Sequence, residues 1–248
     1  MCGILGGLAT SCLDIDKGLA AMSSRGPDGH GVFKLPGIAL AHARLAVIDL
    51  SSAAGQPMHS MCGRYTIVFN GEIYNYRTLR EDIQHRYDFQ TQSDTEVILA
   101  YFITFGARVV DYLRGMFAFA IWDQVAEELF VARDRLGVKP LYYRHIGNEF
   151  AFASRPKALC AMLSGFKPRI DKQALRYYLE AGYVPAPYSI FEEVRKLEPG
   201  HCLRVSKQGV AVSQYWSANR IDTDPALAEI SEVALLDELD SLLMSPCA

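Results

Sequence analysis

Residues 115–122 read GMFAFAIW, and this stretch decides the fold class of the 248-residue chain. Bulky and small apolar residues alternate along it, a pattern typical of a buried β-strand. Similar runs occur in two groups, at residues 4–9, 38–48, 65–69, 129–132, 141–145 and 149–153. Short turns such as Gly147-Asn148 favour antiparallel neighbours. We therefore predict an α+β fold with two packed antiparallel sheets flanked by helices, and not alternating βαβ units.

Helical patterns separate and follow these strand groups. Four helices are predicted, at residues 76–85, directly after Ser93, at 156–163 and at 172–181. Ser93 and Glu96 fit a capping box, with Ser93 as the N-cap and Glu96 at the third helical position. The helices are expected to cover the outer faces of the sheets.

The sequence pattern changes in the C-terminal part of the chain. A hairpin is predicted from residues 201–205 and 210–215, and a last helix from Asp224-Pro225, with proline in a favoured first-turn position. Leucines recur along this helix, at Leu235, Leu236, Leu239, Leu242 and Leu243. They form more apolar surface than a short terminal helix usually buries, and a large exposed apolar patch marks a partner site or an aggregation risk.

Composition and charge exclude several functional classes. The net charge is −3 with both signs interspersed, so the basic face of a nucleic-acid-binding protein is not expected. The apolar residues 97–110 are interrupted by Thr104, Gly106 and Arg108, and they are too few to span a bilayer. The N-terminus lacks the positive segment of a signal peptide. A cytoplasmic protein that does not enter membranes is predicted.

The six cysteines are expected to include one that is chemically special. None are paired as C-x-x-C, and His59 with Cys62 lacks a second pair of ligands, so no metal site is predicted. A disulfide framework is not expected either. Most of the cysteines are predicted to be small apolar side chains. Cys2 differs because of its position.

Cys2 directly follows the initiator methionine. Removal of Met1 would give one residue both a thiol and a free α-amine, whose ordinary pKa is about 8. The thiolate is the nucleophilic form of cysteine, and a terminal amine can serve as the base that generates it. Position alone leaves open the alternative that Cys2 is simply the second residue of an ordinary chain.

The dipeptide Asn70-Gly71 follows the apolar run of residues 65–69. Attack on an amide creates a negatively charged oxygen, which the Asn70 side-chain amide and the Gly71 backbone N–H could hold as an oxyanion hole. The alternative is a hairpin turn, for which Asn-Gly after a strand is a common signal.

Two charged residues are candidates for binding the ends of an amino acid. Arg44 lies inside an apolar run, where a buried guanidinium needs a partner. A substrate α-carboxylate would serve through a bidentate contact, and an internal salt bridge is the open alternative. Asp94 is predicted at the first helical position, where the helix dipole alone would explain a carboxylate. Its functional interpretation is an acceptor for a substrate α-ammonium.

Taken together, these motifs resemble those of one family. In chain order they are Cys2-Gly3-Ile4, Arg25-Gly26-Pro27-Asp28, Ala41-His42 with Arg44-Leu45, Gln56-Pro57, NGEIYN at 70–75, Ser93-Asp94 with Glu96, GMFAF at 115–119, Arg133-Asp134 and GVKPLY at 137–142. The chain is similar to the glutaminase half of a glutamine-hydrolysing asparagine synthetase, a class II glutamine amidotransferase. The resemblance is dense over residues 2–160 and continues more sparsely through 183–191 and 196–201.

The resemblance implies a fold and a set of roles. The fold would be the four-layer αββα sandwich of N-terminal nucleophile hydrolases. Cys2 would be the nucleophile and its α-amine the base, with Asn70 and Gly71 as the oxyanion hole. The implied glutamine-binding residues are Arg44 for the α-carboxylate, Asp94 with Glu72 for the α-amino group, and the backbone of Val47 and Ile48 for the pocket wall. Attack would release ammonia and leave a thioester, which water converts to glutamate.

The resemblance also predicts a domain organisation. Residues 1–165, completed by 195–216, would form the glutaminase core, and residues 166–248 a helix/hairpin appendage leading toward a synthetase domain. The Ser-Gly-Gly-x-Asp-Ser loop with which that domain holds ATP does not occur in this sequence, nor does any P-loop. No cofactor is therefore predicted for this chain, and ATP and Mg²⁺ would belong to the synthetase half.

The chain departs from the family pattern at one position, and two alternative functions remain open. The family usually has an acidic residue after Ala153-Ser154, where this chain has Arg155-Pro156, which changes the expected contacts toward a synthetase half. The alternatives are a non-catalytic binding or regulatory module on the same fold, and an ammonia donor to a separate partner chain. The acceptor of the ammonia and any homo-oligomer are left open.

Overall fold

The computed structural model describes residues 1–8, 12–220 and 230–244, and within them it has two six-stranded antiparallel sheets. Sheet I has the strand order β10-β8-β9-β1-β3-β2. Its strands are β1 Gly3–Leu8, β2 Gly29–Leu35, β3 Ile38–Arg44, β8 Tyr142–Ile146, β9 Glu149–Ala153 and β10 Arg195–Lys196. Sheet II has the order β12-β11-β7-β6-β5-β4. Its strands are β4 Met58–His59, β5 Tyr65–Ile73, β6 Gly115–Asp123, β7 Glu128–Arg133, β11 His201–Ser206 and β12 Gly209–Gln214.

Seven α-helices lie in the described part of the chain. They are α1 Ile15–Ala20, α2 Tyr76–Ile83, α3 Asp94–Phe105, α4 Val109–Tyr112, α5 Pro156–Met162, α6 Lys172–Ala181 and α7 Glu232–Met244. Of the helices in these described ranges, none is long and apolar enough to cross a membrane.

Three apolar clusters define four layers. The central cluster lies between the sheets and includes Ile4 and Phe152 of sheet I with Val68 and Val131 of sheet II. A second joins the outer face of sheet II to α2, α3 and α4. The third joins the outer face of sheet I to α1 and α5. The predicted αββα sandwich of two antiparallel sheets is confirmed.

The strand containing Asn70-Gly71 is longer than predicted. β5 continues from Tyr65 to Ile73 and pairs with β6 along its whole length, with Asn70 opposite Ala118. The hairpin-turn alternative for Asn70-Gly71 is therefore wrong, because both residues lie inside a strand. Conversely, the strand predicted over 38–48 ends at Arg44.

The N-terminus of α3 is capped as predicted, but only in part. The Ser93 hydroxyl accepts a hydrogen bond from the Glu96 N–H at 3.3 Å, so Ser93 is the N-cap. The reciprocal half of the capping box is wrong. The Glu96 carboxylate accepts hydrogen bonds from the Gln90 and Thr91 N–H groups instead, while the Ser93 N–H donates to the Thr91 hydroxyl.

The later segments extend both sheets. β10 pairs with β8, and the β11–β12 hairpin, close to the predicted one, pairs with β7. α7 begins at Glu232, and the predicted helix start at Asp224-Pro225 lies outside the described residues. The division of the chain into a core and a connecting appendage stays a prediction.

Candidate active site

A cleft of about 220 Å³ opens at the end of the sandwich where β1 begins. Its walls come from the first residues of the chain, the loop after β3, the last part of β5 and the N-terminus of α3. Pockets for drug-sized ligands usually hold about 300 Å³ or more, so this cleft suits a molecule the size of an amino acid. All eight residues predicted for the site line it, namely Cys2, Arg44, Val47, Ile48, Asn70, Gly71, Glu72 and Asp94.

Cys2 is held at the floor of the cleft by contacts with two neighbouring segments. Gly3 pairs with Ala43, which brings Cys2 beside the end of β3. The thiol lies 3.3 Å from both the carbonyl oxygen and the amide nitrogen of Leu45, so it can donate to one and accept from the other. Arg25 donates from Nε to the Cys2 carbonyl at 3.0 Å. Both the thiol and the backbone of Cys2 are thereby fixed in place.

Asn70 and Gly71 face the cleft for different structural reasons. The Asn70 side chain is buried, and its Nδ2 has no hydrogen-bond partner among the described residues. A Cβ atom at Gly71 would lie 2.2 Å from the Met116 carbonyl oxygen, so only glycine allows β5 and β6 to pair there. The Asn70 amide is thus an available donor on a rigid strand.

Arg44 is the last residue of β3 and is only half-buried, in contrast to the prediction. Its guanidinium donates to the carbonyls of Asp49 and Ser51, both at 2.8 Å. No carboxylate lies within ion-pair distance of it in the described ranges, so the salt-bridge alternative is wrong. The backbone contacts orient the guanidinium, which forms no ion pair, although its charge helps to lower the pKa of the neighbouring Asp49 carboxyl.

Val47 and Ile48 belong to the loop that Arg44 organises. Ile48 is half-buried, whereas the Val47 side chain is 68% exposed and lies at the rim. Only its backbone is therefore suited to contact a ligand inside the cleft.

Asp94 is a buried carboxylate at the first position of α3. It is 5% exposed, and its Oδ2 accepts a hydrogen bond from the Ile73 N–H at 3.1 Å. The pKa of Asp94 is raised to about 6, mainly by burial and also by the nearby Glu72 carboxylate, against backbone hydrogen bonds that lower it. A carboxylate so disfavoured in its charged form gains from a cationic partner.

Replacing Asp94 with asparagine is expected to change how stability depends on pH. The carboxyl has an ordinary pKa of 3.8 and a folded-state pKa of about 6. Between these values the folded state binds more protons than the unfolded state, so its stability falls as pH rises through the window. Above pH 6 the cost reaches about 3 kcal/mol at most. Urea unfolding should therefore show the Asp94→Asn variant gaining stability relative to the parent between pH 4 and pH 7.5. An unchanged difference across that range would contradict the assignment.

The sequence of this chain matches a known protein family. A family model described as a glutamine amidotransferase domain matches residues 1–216. The chain belongs to this family.

Curated relatives of this glutamine amidotransferase domain are much longer proteins. Glutamine-hydrolyzing asparagine synthetase 3 of Bacillus subtilis is 38% identical over 227 residues, which are 88% of this chain and 37% of that protein. Asparagine synthetase 1 of the same organism is 41% identical over 197 residues, 79% and 31% of the two chains. The amidase chry2 of Gibberella zeae is 33% identical over 192 residues, 77% and 28%. The chain thus spans about a third of the length of these relatives.

Solved structures show the same fold at lower identity. Glutamine phosphoribosylpyrophosphate amidotransferase from Bacillus subtilis matches with a TM-score of 0.62 at 20% identity, covering 86% of this chain and 49% of that one. A structure described as the allosteric regulatory enzyme of purine biosynthesis matches with a TM-score of 0.63 at 21% identity, with the same coverage. These likenesses concern the fold alone.

Gln56, His42 and Lys139 are among the further residues of the amidotransferase domain that line the cleft and had no role assigned from the sequence. Gln56 accepts a hydrogen bond from the Phe69 N–H at 2.6 Å and donates to the Thr95 hydroxyl, which ties β5 to α3. His42 and Lys139 are buried side chains on the wall. The motifs Ala41-His42, Gln56-Pro57 and GVKPLY had marked all three positions as part of the resemblance, but gave no role for their side chains.

Proposed function

We propose that this domain hydrolyses the side-chain amide of glutamine to glutamate and ammonia, with Cys2 as the nucleophile after removal of Met1. One observation carries the proposal: a single amino-acid-sized cleft gathers a thiol, an unpartnered amide donor, a guanidinium that forms no ion pair and a buried carboxylate. These groups match the reactive carbon, the developing oxyanion, the α-carboxylate and the α-ammonium of glutamine. Membership of the family supports the same assignment.

Binding comes first. The Arg44 guanidinium takes the α-carboxylate, and Asp94 with Glu72 takes the α-ammonium, which restores the charged form that burial disfavours in Asp94. The backbone of Val47 and Ile48 closes the side of the pocket. Held at both charged ends, the substrate extends its carboxamide toward the thiol.

Acylation follows in two proton transfers. The freed α-amine of Cys2 takes the thiol proton while sulfur attacks the carboxamide carbon. The Asn70 amide and the Gly71 N–H stabilise the negative oxygen of the tetrahedral intermediate. The amine then gives its proton to the departing nitrogen, the C–N bond breaks, and ammonia leaves a thioester. Water attacks the thioester with help from the same amine, releasing glutamate and restoring the thiol.

The proposed destination of the ammonia is an asparagine-synthetase-type amidation. The relatives named as glutamine-hydrolyzing asparagine synthetases support it. ATP and Mg²⁺ would act in the synthetase half of such a protein, and the Ser154–Arg155 region would lie on the side toward it. A cytoplasmic location is part of the proposal.

The proposal is tested by incubating the Met1-free protein, verified by intact mass, with glutamine. Stoichiometric release of glutamate and ammonia without ATP is expected. A protein that lacks Met1, is folded and still does not turn glutamine over would refute the proposal and favour a non-catalytic module.

A second candidate is donation of ammonia to a separate partner chain. The apolar residues of α7 favour it, because Val233, Leu236, Leu239 and Leu243 are all more than half exposed. Such a surface is typical of an interaction site. A chain that is strictly monomeric and is unchanged by deletion of residues 224–248 would refute this candidate.

A further inference from the structure

His42 is a buried polar side chain for which the proposed mechanism has no task. It lies in β3 directly opposite Ile4 and is 1% exposed. Ile4 and Leu40 pack in the core between the two sheets, and side chains alternate along a strand, so His42 faces the same space. It also contributes to the wall of the cleft that holds Cys2 and Asn70.

Both ring nitrogens of His42 lack a hydrogen-bond partner among the described residues. Buried polar groups in folded proteins nearly always have one, and an unpaired group bears an uncompensated desolvation cost. An imidazole kept unpaired on the wall of a ligand cleft therefore suggests that its partner arrives with the ligand.

The chemical form of the ring determines which partner it suits. The pKa of His42 is lowered to about 4, mainly by burial and also by the Arg44 guanidinium, while the Phe69 carbonyl opposes the fall. The ring is therefore neutral at neutral pH, with one N–H donor and one lone-pair acceptor. The Phe69 carbonyl favours the proton on the nitrogen nearer to it, although it does not complete a hydrogen bond. The other nitrogen is left as an acceptor.

Two residues that line the cleft thus carry complementary groups without partners. The Asn70 Nδ2 is a donor, and the second nitrogen of His42 is an acceptor. A carboxamide offers the matching pair, a carbonyl oxygen that accepts and an NH₂ group that donates. The oxygen suits Asn70, as in the proposed mechanism, and the NH₂ group suits His42.

We propose that His42 accepts a hydrogen bond from the carboxamide nitrogen of glutamine and holds that nitrogen while it departs as ammonia. The inference rests on the proposed glutaminase function. His42 neither gains nor loses a proton in this step. The nitrogen takes the proton carried by the Cys2 amine and leaves with the electron pair of the C–N bond. By holding one N–H, His42 turns the nitrogen lone pair toward the amine, and it thereby favours an amide over an ester.

The test compares two substrates that form the same thioester, glutamine and the γ-methyl ester of glutamate. The ester has no N–H for His42 to hold. In the His42→Leu variant, kcat/KM for glutamine is expected to fall about 10- to 100-fold. The value for the ester should stay near that of the parent protein, which serves as an internal control for correct folding of the cleft.

Two conservative variants sharpen the result. His42→Asn and His42→Gln carry an amide oxygen near the two ring-nitrogen positions in turn, and one of them should recover part of the preference for glutamine. An equal fall for both substrates, an unchanged value for glutamine, or no recovery in either variant would overturn the inference. A parent protein lacking Met1 that turns over neither substrate would instead refute the proposed function.

Discussion

The Cys2→Ala variant is expected to lose glutamine hydrolysis almost completely, with kcat reduced about ten-thousand-fold or more. The reason is that Cys2 carries the only thiol among the described residues that line the cleft. Binding should survive, because Arg44 and Asp94 contact the other end of the substrate. Glutamate release measures the first expectation, and calorimetric titration with glutamine measures the second.

Cys62 provides a matched control for the Cys2 substitution. Cys62 is exposed, and hydrogen bonding to Ser60, assisted by nearby backbone N–H groups and Arg64, lowers the pKa of its thiol. It is thus a chemically reactive cysteine that lies outside the cleft. Cys62→Ala should keep parental turnover. Full activity in Cys2→Ala, or loss in Cys62→Ala, would contradict the assignment of the nucleophile.

Turnover measurements also test the role of the Cys2 α-amine. Met1 lies at the rim of the cleft and is 63% exposed, so its removal uncovers the amine without disturbing the core. While Met1 is attached, the Cys2 nitrogen is part of a peptide bond and cannot act as a base. Turnover measured on preparations with different degrees of Met1 removal should therefore rise in proportion to the processed fraction.

Local sequence patterns predicted the elements whose formation depends on near neighbours. The alternation in residues 115–122 marks β6, and the Ser93 cap follows from a side chain three positions from its partner. Predictions that depend on distant pairing were less accurate. Asn-Gly reads locally as a turn, yet Asn70-Gly71 stays extended because nine residues of β5 pair with β6. The pairing of β11 with β7, about seventy positions apart in sequence, has no local signal at all.

The candidate site shows the same division between local and distant effects. Residue types and order identified eight of the residues that line the cleft, but not what they contact. Arg44 was expected to need an acidic partner, whereas the loop after β3 folds back so that two carbonyls take its donors. The unpartnered state of Asn70 and His42 depends on how the two sheets face each other, which sequence alone does not encode in any short motif.

The Asn70→Ala variant is expected to lower kcat about 100- to 1,000-fold while leaving KM for glutamine nearly unchanged, as for removal of one oxyanion donor. The Asn70 Nδ2 has no partner in the resting protein, so its loss removes an interaction that exists only when charge develops on the substrate oxygen. Steady-state kinetics measures both parameters.

Asn75, in the same NGEIYN motif, distinguishes catalysis from structure. Both ends of its amide are hydrogen-bonded, since Nδ2 donates to the Tyr112 carbonyl and Oδ1 accepts from the Arg114 N–H, each at 3.0 Å. Asn75→Ala should therefore cost about 1–3 kcal/mol in the free energy of unfolding and leave kcat near the parental value. Asn70→Ala should lose less stability than Asn75→Ala, because no hydrogen bond of its Nδ2 is broken. If Asn70→Ala instead lowered stability as much as Asn75→Ala and left kcat intact, Asn70 would be a structural residue and the oxyanion hole would have to lie elsewhere in the cleft.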